Sequence, residues 1–254
     1  MKKRKAGIVI FVIVLIITAV RIKSMDSHRI SGRILAENIA GPGMLRLVEQ
    51  SMQARARKTS VMEIAVKERK YPQAALTFDD GPDIRYTPLL LDGLKERNVR
   101  ASFFLLGEKV EQYPELVERM QKEGHLVGNH TYHHVQLNKL NETKAREEIL
   151  KTNNLIYETT GVYPLYLRPP FGAWKKNLEL CVEMLPVFWT IDTLDWKVQN
   201  TEKIVHTVQE QIEDGAIILM HDEYDTSVEA ALQVADDLKA QGYELVTVDQ
   251  LILP

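Results

Sequence analysis

The chain has 254 residues, of which 45% are hydrophobic, and a formal net charge of −3; that composition has room for one large globular domain or two small ones. A single cysteine, Cys181, rules out an intramolecular disulfide and a cysteine-cluster zinc site. Charge is unevenly spread, with 15 Lys and Arg against 5 Asp and Glu in residues 1–70 and 17 against 30 in residues 71–254. The larger part therefore lacks the basic surface that phosphate binding needs, which argues against nucleic acid as its ligand.

Lys2-Lys3-Arg4-Lys5 precedes a charge-free apolar run over residues 6–20, followed by Arg21 and Lys23. The run is long for a signal-peptide core and short of the roughly 20 residues that span a bilayer. Flanking Lys5 and Arg21 can snorkel to make up the difference. No small-x-small cleavage site follows, so an uncleaved membrane anchor over residues 1–23 is favoured over a cleaved signal, and either one exports the rest of the chain. Residues 24–70 read as a basic stem, broken at Gly41-Pro42-Gly43. Its Arg55-Ala56-Arg57-Lys58 patch is a solvated face or a contact for anionic headgroups or wall polymers.

From residue 71 short apolar runs alternate with amphipathic stretches. The spacing predicts strands at 74–78, 101–106, 126–128, 166–168, 187–191, 216–220 and 244–248. It predicts helices near 87–97, 114–123, 142–159, 175–184, 201–213 and 226–240, the fourth holding Cys181 as a core residue. Such alternation makes an α/β fold of parallel strands, either a barrel or a doubly wound sheet. Unusual polar residues gather at the strand ends: Asp79-Asp80, His130, Arg168, Asp192 with Asp195, and His221. In a (β/α) barrel those ends share the face that carries the chemistry, so a distorted barrel of about seven parallel strands is the expected fold of residues 71–254.

Asp79 and Asp80 end the first strand just before Gly81-Pro82 breaks it. Neighbouring side chains on an extended chain diverge, so one carboxylate can bind a metal while the other takes a proton. His130-Thr131-Tyr132-His133-His134 places imidazoles at i and i+4, on one side of an expected helical turn. With Asp80 they make a two-histidine, one-carboxylate set that leaves positions for water, a common catalytic metal arrangement; His133 points elsewhere. Asp79 then suits the base that deprotonates water, and His221 the acid that protonates a leaving group, kept charged by a carboxylate for which Asp195 is the candidate. Arg168 would orient and ionise Asp79. His28, His125 and His206 lie away from strand ends and receive no role.

Taken together these residues resemble the polysaccharide deacetylases of carbohydrate esterase family 4, over residues 71–254 and in five motifs in the family's order. Thr77-Phe78-Asp79-Asp80-Gly81 is similar to the first, with base then metal ligand, and His130 to His134 to the second, with its outer histidines as ligands. Arg168-Pro169-Pro170-Phe171-Gly172 resembles the third, in which the backbone N–H of the aromatic, here Phe171, helps hold the oxyanion. Many members carry Tyr there, a change that leaves a backbone role intact. Asp192-Thr193-Leu194-Asp195-Trp196 resembles the fourth, whose Asp beside Trp196 tunes the acid. Leu219-Met220-His221 resembles the fifth, with Leu219 lining the acetyl pocket.

The resemblance implies a zinc-type metalloenzyme, with cobalt or nickel as substitutes, that removes acetyl groups from N-acetylated sugars of an extracellular polysaccharide. Export and a stem point to peptidoglycan N-acetylglucosamine. Chitin-type oligomers or an O-acetylated xylan are alternatives, as is a cell-wall glycan-binding protein without catalysis. Beyond the glycan and the membrane, no obligate protein partner is evident.

Overall fold

The structure, a computed structural model, describes residues 70–174 and 184–252. The anchor at 1–23, the stem through residue 69, and residues 175–183 with Cys181 lie outside the described residues. In chain order the elements are β1 (Gln73–Asp79), α1 (Thr87–Glu96), β2 (Ser102–Leu105), α2 (Gly107–Gln112), α3 (Pro114–Lys122), β3 (Leu126–Asn129), α4 (Glu142–Thr160), β4 (Tyr166–Leu167), β5 (Leu185–Pro186), β6 (Ile191–Asp192), α5 (Asp195–Val198), α6 (Thr201–Gln211), β7 (Ala216–His221), α7 (Asp225–Ala240), β8 (Glu244–Leu245) and α8 (Val248–Ile252). Helix ends follow local chemistry. Asn141 and Asn200 accept from the N–H of Lys144 and Lys203 at 2.9 Å to start α4 and α6, and Gly161, at φ 72°, ends α4 in the left-handed conformation.

Every strand pair is parallel, in the order β5-β4-β3-β2-β1-β7-β6, with β8 joining β1. β1 pairs with β7 from Ala74 to Asp79. Its other edge is shared, Gln73 and Ala74 pairing with β8 and Thr77 to Asp79 with β2. Period-two alternation then sorts the side chains. Leu76 and Phe78 of β1, Phe103 and Leu105 of β2, and Ile218 and Met220 of β7 face a large core with the apolar sides of α1, α3, α6 and α7. Ala75 and Phe104 face the concave side, where Tyr166, Val187, Val248 and Leu251 plug its lower end. Thr77 and Asp79, and Leu219 and His221, continue those concave rows toward the strands' C-terminal ends.

Two expected strands differ. The 187–191 segment is strand only at Ile191: β5 ends before it and pairs with β4, β6 begins at Ile191 and pairs with β7, so the segment between them crosses from one edge of the sheet to the other. Pro186 has no N–H to extend a ladder, and the sheet is a curled half-barrel open between β5 and β6 rather than a closed barrel. The 244–248 segment is strand only at Glu244–Leu245. Thr247 and Val248 turn into α8, where the Val248 N–H donates to Ser102 Oγ at 3.0 Å.

Candidate active site

All the polar strand-end residues expected from the sequence lie at one end of the concave face. Asp79, Asp80, His130, His134, Phe171, Asp192, Trp196, Leu219 and His221 line one cleft of about 520 Å³. Arg168 and Asp195 lie buried behind it.

Arg168 organises one wall. With 0% of its surface exposed, its Nη1 donates to Asp79 Oδ1 at 2.8 Å and Thr77 Oγ1 at 2.7 Å, and its guanidinium lies 4.3 Å from the Phe104 ring centre. Burial pushes the Asp79 carboxyl above its usual range, against the opposing pull of Arg168; the product is a held carboxylate of raised basicity. The Arg168 carbonyl accepts from His130 Nδ1 at 2.6 Å. Burial also pushes the His130 imidazole down to about 3. It is therefore neutral, with its hydrogen on Nδ1 and the Nε2 lone pair free.

That lone pair meets Asp80 across the cleft. Asp80 sits at φ 69°, a left-handed turn that brings its carboxylate to the same site as that of Asp79. The conformation costs on the order of 1–3 kcal/mol for a non-glycine residue. Next to it, a Cβ on Gly81 would stand 2.5 Å from Asp222 Oδ1, so this turn has room only for glycine. Asp80 Oδ1 is 3.4 Å from both His130 Nε2 and His134 Nε2, is buried, and has no hydrogen-bond partner. A carboxylate oxygen and a lone-pair nitrogen do not converge without a positive charge between them. Zn–N and Zn–O bonds of about 2.0–2.2 Å at a tetrahedral angle separate N and O by ~3.4 Å. These three residues fit a divalent cation in donor chemistry and in spacing.

The histidine loop is not the helical turn that i, i+4 spacing suggested. Residues 130–134 bend without helix, with Thr131 at φ 68° and His134 at φ 53°. The three central N–H groups go to side chains instead: Thr131 to Asn129 Oδ1 at 2.6 Å, Tyr132 and His133 to Glu148 Oε2 at 3.1 and 2.9 Å. His133 is 58% exposed and pairs with Glu148 Oε1 at 2.8 Å, away from the cation group.

The neighbouring strand holds the second titrating pair, His221 lying in register with Asp79. His221 Nδ1 lies 2.8 Å from Asp195 Oδ1, and Asp195 Oδ2 accepts from the His221 N–H and Ser227 Oγ, both at 2.7 Å. Burial alone would lower the His221 imidazole, but the hydrogen bond and charge of Asp195, with Asp79 and Asp80 behind, push it up to about 9. Burial opposes ionisation of Asp195 too, yet the donors from His221 and Ser227 hold its carboxyl below the usual range. The result is an imidazolium whose Nε2 faces the cleft, 3.9 Å from Asp80 Oδ2.

Phe171 sits at φ 60° with its ring 4.5 Å from His134, and Trp196 stays 50% exposed on the rim. Sequence reasoning missed Trp189, Glu223 and Tyr224, which also line the cleft, and Ser227. Glu223 and Tyr224 come two and three residues after the end of the strand carrying His221, so the strand-end rule applied three residues further would have found them. Trp189 lies in the crossing segment read as strand, and Ser227 reaches Asp195 only through the docking of α7.

The sequence pattern of the polysaccharide deacetylase family matches residues 67–188. A peptidoglycan-N-acetylglucosamine deacetylase of Bacillus cereus is 40% identical over 186 residues, 70% of this chain and 68% of that one. The peptidoglycan-N-acetylglucosamine deacetylase PgdA of Listeria monocytogenes is 42% identical over 73% of this chain, which spans only 40% of that relative's length. PdaC of Bacillus subtilis, a peptidoglycan-N-acetylmuramic acid deacetylase, is 44% identical over 70% of this chain and 38% of its own length. Its solved structure superposes with a TM-score of 0.70 at 42% identity, over 72% of this chain and 91% of that one. Identity of 40% carried over two thirds of the Bacillus cereus relative, on a fold shared with the Bacillus subtilis enzyme, makes this chain a member of the polysaccharide deacetylase family.

Proposed function

We propose that the chain hydrolyses the acetamide of N-acetylglucosamine in peptidoglycan, releasing acetate and leaving a free amine on the glycan. The observation that carries this reading is that Asp79–Arg168 and His221–Asp195 both border the Asp80–His130–His134 group, Asp79 Oδ2 lying 3.7 Å from His130 Nε2 and His221 Nε2 3.9 Å from Asp80 Oδ2. Amide hydrolysis needs a base for the attacking water on one side and an acid for the departing amine on the other. A divalent cation held by Asp80, His130 and His134, zinc first with cobalt or nickel able to replace it, would polarise the acetyl carbonyl and acidify the water.

The protein's own groups do the rest. Arg168 holds Asp79 through Oδ1, which leaves Oδ2 to take the water's proton. His221 gives its Nε2 proton to the sugar nitrogen as the C–N bond breaks, while Asp195 keeps Nδ1–H in place. The backbone N–H of Phe171 is assigned to the developing oxyanion, and Leu219, which lines the cleft with Trp196, to the acetyl methyl. Relatives divide between N-acetylglucosamine and N-acetylmuramic acid. Asp192 lines the cleft, and its carboxylate opposes the lactyl carboxylate of muramic acid, which favours N-acetylglucosamine.

Residues 1–23 are proposed to anchor the chain in the cell membrane, with the catalytic domain on the outside. Among the described residues no helix is long and apolar enough to cross a membrane. A protein that only bound wall glycan would need neither Asp79 nor His221. The test is acetate release from peptidoglycan and from a chitin oligomer by metal-stripped protein given zinc or cobalt. Asp79→Asn and His221→Ala are expected to abolish release while zinc still binds at one per chain. Undiminished release by both variants would refute the assigned mechanism.

A further inference from the structure

We infer that Glu148, on α4 and outside the cleft, is a positioning residue that sets the metal affinity of the site; the inference rests on the cation reading of Asp80, His130 and His134. Two metal-site histidines flank a loop with two left-handed non-glycine residues, Thr131 and His134. Each costs on the order of 1–3 kcal/mol, so something outside the loop has to hold them.

Helix α4 supplies it at two points. Asn129 donates from Nδ2 to the Ile149 carbonyl at 2.9 Å and to Asn153 Oδ1 at 2.7 Å, and it accepts the Thr131 N–H through Oδ1. One residue before Ile149, Glu148 Oε2 accepts the consecutive N–H groups of Tyr132 and His133. Successive N–H groups turned to one side form a concavity suited to an anion, and this one is filled by a carboxylate whose side chain is only 16% exposed. The other oxygen pairs with His133 Nδ1. Removing the carboxylate frees two N–H groups to seek water or the i−4 carbonyls, and the turn that aims His134 Nε2 at Asp80 loses its outer support. His130 is held independently by the Arg168 carbonyl, so the effect falls on His134.

The experiment measures zinc affinity of the metal-stripped full chain against a competing chelator, with thermal melts of each cation-free variant. Loss of groups that orient metal ligands typically costs about 10–100-fold in affinity, and Glu148→Ala is expected in that range. Glu148→Gln keeps one oxygen able to accept both N–H groups and is expected to retain most of the affinity. His133→Ala removes the imidazole pair and an edge contact with the Tyr132 ring but leaves both N–H groups on Glu148, and is expected to bind zinc as the wild type does. Zinc affinity of a folded Glu148→Ala equal to wild type would overturn the inference. If Glu148→Ala does not fold, Glu148→Asp, which withdraws the carboxylate by one methylene, takes its place, and unchanged affinity there overturns it equally. A wild-type chain that binds no zinc would instead overturn the cation reading itself.

Discussion

Asp195→Asn tests how the acid is made. Asp195 presents one oxygen to His221 Nδ1 and the other to two donors, the His221 N–H and Ser227 Oγ. An asparagine satisfies the two donors only with its oxygen there, which turns its NH₂ toward Nδ1. That nitrogen must then accept, and the imidazole becomes the neutral Nε2–H tautomer. The charge that helps lift His221 to about 9 is gone, while burial, which pulls the other way, remains. The imidazole therefore falls to its ordinary value of ~6.5 or below, a move of about two pH units or more. A cation at Asp80 repels the imidazolium in both proteins, so the difference between them survives whatever the absolute values. The assay is kcat/KM for acetate release against pH. The alkaline limb, where the acid loses its proton, is expected to move down by about two units in the variant. Stability shifts with it: a histidine raised in the folded state stabilises fully below its unfolded value of about 6.5 and loses that contribution as pH rises through about 9. The melting temperature deficit of Asp195→Asn should therefore be larger at pH 6.5 than at pH 10. An alkaline limb at the same pH in both proteins, with only kcat reduced, would refute the role given to Asp195.

Arg168→Met leaves Asp79 buried without its partner, and breaking a buried pair costs about 3–5 kcal/mol; urea unfolding should show that loss, with acetate release abolished. Chelation is expected to remove activity and lower the melting temperature. Readdition of zinc at 1,000 times its dissociation constant should restore about 4 kcal/mol, and His134→Ala should show neither response.

What the sequence determined by itself was local. An apolar run stopping at Asp79-Asp80-Gly81-Pro82, three histidines in five residues, and Arg168 at the end of the expected 166–168 strand each signal a strand end bearing polar chemistry, because period-two alternation and turn residues act over a few positions. Repetition of that signal along the chain was enough to expect parallel strands with the polar ends together, and the concave face carries them. The rest was decided by contacts between residues distant in the chain. Whether 187–191 is one strand depends on the two sheet edges it bridges. The histidine loop bends rather than coils because Asn129 and Glu148, held by a helix that begins after it, take the N–H groups a helix would have used. Ser227 meets Asp195 across 32 positions, and Arg168 meets Thr77 across 91. No local propensity encodes such distances; the curl of the sheet and the docking of α4 and α7 onto it create them.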